Sequence, residues 1–408
     1  MSRRSARNAP AIGFILAVLV IDSLGFGLVI PILPTLIQKL SGGPRHDAAL
    51  WVGVLAMSFA AAQFFAAPVL GQLSDRFGRR PLILISLTGS ALNYVLLVFA
   101  PSIGWLFLGR LLAGATAGNV SAASAYIADI TEPQDRARRF GLIGAAFSFG
   151  FIIGPALGGL LGGISLRLPF ALAAGLAGVN ALYGLFVLPE SLPVEKRRLF
   201  RWPEATPFRA LGTLGADPRM RRLAFAWAMR WFGLGTIQAV FVLSTELRFG
   251  WGPQQNGIAL AVVGITGTLA QAFLVRRLVG WLGEAKAAMF GFAMNALAFA
   301  GFALAGQVWV IILIGLLQAL GSVTNPAIRA MISSAAPSDR QGSTQGALAA
   351  VEGLTAIVSP LIGAGLFALF TERHGAIYFP GAPFMLAAGL FIVGAILVAA
   401  AARHPGPG

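Results

Sequence analysis

Cysteine is missing altogether, which excludes disulfides and thiolate chemistry and leaves the redox compartment open. Charge is scarce: Asp, Glu, Lys and Arg make up 11% of the 408 residues, against about 25% in an average soluble domain. A metal-ligand cluster, a nucleophilic triad and a phosphate-binding loop are also absent, so no metal and no organic cofactor is expected. Gly109-Arg110 and the glycine pairs lie inside helical runs rather than after strands, which excludes dinucleotide binding. Together these absences remove the soluble enzymes. What the chain does have is apolar residues, 57% of the total, with 51 glycines and a mean hydropathy of +0.79. That is the composition of an integral membrane protein.

The net charge of +15 would suit a nucleic-acid partner, but most of it is confined to short stretches between apolar runs. Membrane topology explains it better, and no nucleic acid is expected. The N-terminus, with Arg3, Arg4 and Arg7 before an apolar run from Ala11, resembles a signal peptide. The run extends to Leu36, contains Asp22 and lacks a small-residue cleavage site, so it reads as a retained first helix.

About 20 residues of helix are needed to cross a core of about 30 Å. Runs of that kind fall at 11–37, 50–71, 81–100, 103–129, 139–163 and 167–189, and again at 222–246, 255–279, 286–305, 308–333, 341–370 and 378–402. The expectation is an all-α integral membrane protein of twelve transmembrane helices in two pseudo-symmetric six-helix bundles. Residues 1–190 form the first, 191–221 a cytoplasmic linker and 222–408 the second. Lys and Arg set the orientation. Arg76, Arg79, Arg80, Arg136, Arg138, Arg139, Arg276, Arg277, Lys286 and Arg340 lie on the same side as the tail and linker, which adds Lys196 to Arg198, Arg201, Arg209, Arg219, Arg221 and Arg222. The other side has only Lys39, Arg45, Arg167, Arg248 and Arg373. Both termini are therefore expected in the cytoplasm.

The halves repeat. Gly78 and Gly283 are 205 residues apart, as are Gly141 and Gly346, Pro155 and Pro360, and Gly158 and Gly363, while Asp135-Arg136 and Asp339-Arg340 are 204 apart. Two repeats about a midplane cavity are a transporter architecture.

Residues 71–83 are a glycine-rich run with four charges. Gly71 is expected to let its helix approach a neighbour closely, and Gly78 to supply a turn other residues resist. Asp75 precedes Arg79 by four residues, so they can pair across a helical turn. Asp129 is a second partner for Arg79. With Arg76 and Arg80 these residues form the expected cytoplasmic gate; the plainer reading is a solvated positive-inside loop. The counterpart at 280–286 has lost its Asp.

Asp22 lies within the first span, where an ionised carboxylate costs several kcal/mol unless it meets water or a partner. It is the first candidate for proton coupling, with a helix-packing contact to neighbouring amides as the alternative. Arg110 cannot realistically lose its proton and must neutralise or modulate a neighbour. Arg230 is a second embedded cation, and Glu352 is either its counter-charge or a second titrating group. Gly150, Gly154 and Gly158 share a helix face kinked at Pro155, as helix packing or as an interface where the halves close and reopen. Gln63, Asn119, Gln238, Gln318 and Asn325, with Ser121 and Ser124, are polar positions from which cavity-lining residues are expected, the rest bonding between helices. Phe147, Phe149, Phe151, Trp227, Trp231 and Phe241 can stack on a substrate or pack against lipid; Trp51, Trp105 and Trp251 suit the membrane interface.

The 71–83 run resembles the signature loop of the major facilitator superfamily. Asp22-Ser-Leu-Gly-Phe-Gly27 through Pro31-Ile-Leu-Pro34 resembles the first-helix motif of its drug:proton antiporter branch, and Arg110 with Gly114 the helix-four motif. Gly150-Phe-Ile-Ile-Gly154-Pro155-Ala-Leu-Gly158-Gly159 resembles the antiporter motif, which implies that these residues favour antiport and prevent leak. Ala125-Tyr126-Ile-Ala-Asp129-Ile-Thr131, Leu188-Pro-Glu190-Ser-Leu-Pro193 and Gln341-Gly342 with Gln345-Gly346 are similar to the tetracycline-efflux subfamily. The resemblance covers nearly the whole chain. Where that subfamily carries intramembrane aspartates in helices three and nine, this chain has Asn93 and Asn295. A helix-eight His of some members is Gly267 here, whereas Gln271 agrees. Asn hydrogen-bonds but carries no charge, so a metal–tetracycline chelate fits poorly and a weakly polar amphiphile fits better. Asn93, Gln271 and Asn295 join the expected substrate site.

The expected function is export of a small amphiphilic or hydrophobic compound in exchange for protons, by a monomer in a bacterial-type inner membrane. A facilitator or importer of the same fold is the alternative, and a non-transporting membrane sensor a further one.

Overall fold

The computed structural model describes residues 3–43, 45–202, 205–215, 217–337, 341–372 and 377–403. Asp339, Arg340 and Arg373, expected in loops, lie outside them. The described residues form helices and no strand. The first half contains α1 (Arg3–Val29), α2 (Leu33–Ser41), α3 (Arg45–Phe77), α4 (Arg79–Phe99), α5 (Ile103–Ala115), α6 (Asn119–Ile130), α7 (Arg136–Ile164) and α8 (Leu168–Val187). The second contains α9 (Pro218–Phe249), α10 (Pro253–Leu269), a π-helical turn (Ala270–Leu274), α11 (Val275–Leu304), α12 (Val308–Gly321), α13 (Thr324–Ala335), α14 (Gln341–Thr371) and α15 (Ala382–Ala402). Nine helical stretches among the described residues are long and apolar enough to cross a membrane.

Several apolar runs are broken where the backbone requires it. The first stops at Val29 and restarts at Leu33, because Pro31 has no N–H to donate; Ile32 N–H turns back to Val29 O at 3.2 Å. The fourth breaks between Ala115 and Asn119, where Gly118 N–H closes a tight turn on Thr116 O at 2.7 Å. Its counterpart breaks after Gly321, with Ser322 N–H on Ala319 O at 3.2 Å. The charged stretch expected to be a loop is mostly helix: α3 continues to Phe77 and α4 starts at Arg79. The whole reversal falls on Gly78, whose φ of 108° and ψ of 166° suit only glycine. Gly283 does the same inside α11, with φ 73° and ψ 164°.

The chain divides into two compact units. One holds Met1–Leu40, Ala62–Thr206 and Gly252–Ala261; the other holds Ser41–Ala61, Pro207–Trp251 and Val262–Gly408. This departs from bundles cut at 190 and 222, since the first parts of α3 and α10 each cluster with the opposite half of the sequence. The linker divides as well. Its start is tied to the first unit, Arg198 N–H donating to Asp75 O at 3.0 Å, while the 3-10 turn Arg209–Leu214 packs on α14 in the second.

In the first unit, Phe14, Ile15, Leu19, Ile83, Tyr126 and Ile127 form the buried core. Helices α1 and α7 meet backbone to backbone there. A Cβ on Gly154 would lie 2.7 Å from Leu24 O, and one on Gly150 or Gly158 would run into Val20 or Leu28. The next glycine round the helix, Gly159, faces α10, where a Cβ on it would lie 2.9 Å from the Cα of Gly257. In the second unit the core is aromatic: Trp227, Phe292, Phe367, Phe384 and Phe391 are fully buried, with the Phe302 and Phe384 rings 4.4 Å apart. Gly363 there touches the Thr236 backbone, and a Cβ on Gly53 of α3 would lie 2.7 Å from Ala364 Cβ. Gly53 and Gly257 are 204 residues apart and their partners Gly159 and Ala364 are 205 apart, so each unit contains one copy of the same contact. Between these cores and the outside stand exposed apolar side chains such as Ile164, Phe186 and Ile396, the surface of a protein solvated by lipid.

Candidate transport site

The α3–α4 reversal is held by one arginine. Arg79 Nη1 donates to Asp75 Oδ1 at 2.5 Å and to Ser74 Oγ at 3.0 Å, while Nε donates to Asp129 Oδ2 on α6 at 3.1 Å. The i,i+4 spacing explains the first pair, and a planar guanidinium can serve both carboxylates at once. Its side chain is 13% exposed, so this is a packed latch rather than a solvated charge. Arg76 instead lies over the Phe77 ring at 5.0 Å, and Arg80 Nη2 donates to Leu185 O at 2.7 Å. Gly71 differs from expectation: a Cβ there would meet nothing within 4 Å, because the residue opens on a cavity of about 590 Å³ instead of touching a helix. Asp75, Arg79 and Ser121 line that cavity too.

Glu190, which the sequence did not single out, also packs on this reversal. It lies over Gly78 and accepts the first two N–H groups of α4, from Arg79 at 2.8 Å and Arg80 at 3.2 Å. The same carboxylate accepts Ser191 and Leu192 N–H, and Ser191 Oγ reaches Asp129 at 3.3 Å. Tyr126 OH donates to Pro189 O at 3.0 Å. The Leu188–Pro193 stretch therefore closes over the latch, which gives that motif a structural role. At Gly283 the turn is retained, but no ion pair accompanies it among the described residues.

Asp22 is partly buried in α1 and forms no ion pair among the described residues. Its partner is neutral: Asn119 Nδ2, at the start of α6, donates to Asp22 Oδ1 at 3.0 Å. Asn119 thus serves the carboxyl group rather than an open cavity. Tyr94 of α4, also unassigned from sequence, is within electrostatic range of both Asp22 and Arg110, and its hydroxyl packs on Gly25. Arg110 is buried in α5. One turn beyond Asp22, Phe26 stacks on Phe151 at 6.4 Å, and Phe151 on Phe147 at 6.4 Å, an aromatic ladder beside the carboxyl group.

In the second unit, Glu352 has Arg329, Arg230 and Trp227 as electrostatic neighbours. Arg329 also donates to Gln345 Oε1 at 3.0 Å. Asn93 and Asn295 are both buried. Asn93 is 2% exposed and would meet a Cβ on Gly109 at 2.9 Å. Asn295 Nδ2 donates to Gly291 O and Gly321 O, both at 2.9 Å, and would collide with a Cβ on Gly321. Each fits against a glycine of the following helix. Asn295 and Gln318 line a cavity of about 530 Å³ in this unit; Gln63 and Asn325 are partly buried, Gln238 is exposed, and Gln271 is exposed on the π-helical turn.

Two repeated helical units with intramembrane ionisable groups and cavities with polar walls define a membrane transporter rather than an enzyme. The sequence pattern of the Major Facilitator Superfamily matches residues 15–315 and 223–408, and the chain belongs to that family. It is 38% identical over 393 residues to the class C tetracycline resistance protein of Escherichia coli, covering 95% of this chain and 96% of the relative. It is 29% identical over 374 residues to multidrug resistance protein 2 of Bacillus subtilis (strain 168), covering 91% of each. Among solved structures it is similar to the human organic anion transporter MFSD10 (TETRAN), with a TM-score of 0.72 and 25% identity over 98% of this chain and 100% of that one.

Proposed function

We propose that the protein is a proton-coupled exporter of small amphiphilic compounds, working by alternating access in a bacterial inner membrane. The observation that carries this reading is Asp22, a carboxyl group in a membrane-spanning helix whose partner is a neutral amide. A charge kept there costs several kcal/mol, and a proton removes that cost. Asp22 takes up and releases the coupling proton, Asn119 holds the carboxyl in place, and Tyr94 and Arg110 set its electrostatic surroundings. The Phe26–Phe151–Phe147 ladder offers ring faces to an apolar cargo next to that group. The drug-resistance names of the relatives support the cargo class.

Twelve crossings follow once the rod Pro253–Leu304 is divided at Gly283 and the broken pairs α5–α6 and α12–α13 are each counted as one span. The arginine-rich ends then face the cytoplasm, along with both termini. The Arg79 latch closes the cytoplasmic end of the first unit and steadies the state open to the outside. No organic cofactor is needed, and the monomer is the working unit. Because neither Asn93 nor Asn295 carries a charge, and the Asn295 amide already donates to two backbone carbonyls, the cargo is not held through a metal chelate at those positions.

The test is transport in proteoliposomes holding the purified protein. A compound identified by a thermal-shift screen should be driven uphill by an imposed pH gradient. Movement only down its own gradient, with no response to pH, would select a facilitator or importer instead.

A further inference from the structure

The cavity of about 530 Å³ in the second unit is lined by Arg230 and by no acidic residue. Thr266, Asn295, Gln318 and Ser322 supply its polar walls, and Phe391 contributes an apolar one. The guanidinium of Arg230 lies over two tryptophan rings, 4.8 Å from that of Trp231 and 5.8 Å from that of Trp227. Ring faces fix its orientation, but they leave its five N–H donors to be satisfied elsewhere. Nη1 has no hydrogen-bond partner among the described residues, and neither has Ser322 Oγ in the wall of the same cavity. Glu352 is an electrostatic neighbour of Arg230, yet no ion pair within 4.0 Å joins them among the described residues, and Glu352 also faces Arg329. One carboxylate facing two arginines leaves a positive charge over.

Two orphaned polar groups in one cavity need an acceptor, and buried groups of this kind are rarely left unmatched. Thr266 Oγ1 donates to Val262 O at 2.9 Å and Asn295 Nδ2 to two backbone carbonyls, and an acceptor on a ligand entering the cavity would satisfy Arg230 Nη1 and Ser322 Oγ together. We propose that this cavity is an anion subsite, in which Arg230 takes the carboxylate or sulfonate of an aromatic amphiphile by a forked hydrogen bond while Ser322 adds a third donor. The apolar wall contributed by Phe391 takes the body of the ligand. The inference rests on the exporter reading and names one class of its cargo: compounds with an apolar body and one negative charge.

The test uses the purified full-length protein in detergent, with equilibrium dialysis of 1-naphthaleneacetate, its neutral amide 1-naphthaleneacetamide, and the cation 1-naphthylmethylamine. A hydrogen-bonded charge pair in a desolvated site predicts at least about tenfold tighter binding of the carboxylate than of the amide. Arg230→Gln should bring that ratio below about two, Arg230→Lys should keep part of it, and Glu352→Gln should raise it. Equal binding of carboxylate and amide by the wild type, or no carboxylate binding at all, overturns the proposal. So does a ratio that survives Arg230→Gln. If Arg230→Gln does not fold, a Glu352→Gln protein whose ratio stays unchanged or falls has the same force. Export of the amide with no preference for the carboxylate sinks this inference alone. A carboxylate preference without any pH-driven transport sinks the exporter reading and leaves the site standing.

Discussion

Substituting Gly78 by alanine separates two contributions to the α3–α4 reversal. The first is backbone strain: φ 108° with ψ 166° lies in a region that only glycine occupies readily, and alanine there costs about 1–3 kcal/mol. The second arises because the new Cβ would collide with the Glu190 carboxylate. That carboxylate is the end of a flexible side chain, so the collision itself is cheaply relieved by swinging it away. What is lost is the cap on the first N–H groups of α4, about 1 kcal/mol. Gly283→Ala is the matching control, since Gly283 has a similar backbone, φ 73° and ψ 164°, with nothing within 4 Å of a Cβ. Both variants should lose about 1–3 kcal/mol, with Gly78→Ala lower by about 1 kcal/mol more. Tryptophan fluorescence through a reversible denaturant titration in micelles measures each loss. In a double-mutant cycle, Glu190→Ala should be non-additive with Gly78→Ala and additive with Gly283→Ala. Equal costs for the two glycine variants, or full additivity of Gly78→Ala with Glu190→Ala, would refute the capping account.

Other outcomes follow from the packing and from the Asp22 cluster. Gly257→Ala places a methyl group against Pro155 O and the Gly159 backbone, which cannot swing aside, so the same titration should show a loss of about 1–3 kcal/mol; Gly53→Ala, its repeat-related twin, should lose a similar amount. Asn119→Ala removes the hydrogen bond to Asp22 and should lower pH-driven export about tenfold at unchanged expression, with Asn119→Gln retaining more because it still donates. Unaltered export by Asn119→Ala would remove Asn119 from the coupling site.

The latch was legible in the sequence because its parts are local or repeated. Asp75 and Arg79 lie one helical turn apart, and Gly78 has a repeat partner at Gly283. The offset of 205 also linked Gly158 to Gly363, and both glycines make backbone contacts between helices. What sequence could not supply is tertiary. Glu190 is 111 residues from the N–H it caps, and Asn119 is 97 residues from Asp22, so no spacing rule joins either pair. Tyr94 gains its place only from the fold, which brings it within electrostatic range of Asp22 and Arg110. The length of α3 was also hidden: a run of charges reads as a loop, yet Ser74 to Phe77 stay helical because Arg79 pairs with Asp75 and donates to Ser74, while Arg76 lies over the Phe77 ring. The division of α3 and α10 between units was invisible for a related reason, since Gly53 and Gly257 each need a partner in the other half of the chain.

Proton movement coupled to export, recorded with a pH-sensitive dye inside proteoliposomes, tests the central claim most directly. Wild-type protein should exchange protons when the exported compound is added. Asp22→Asn should still bind the compound, because the amide keeps the shape of the side chain, but should exchange no protons and support no uphill export. Proton exchange and uphill export by Asp22→Asn at the wild-type level would contradict the account.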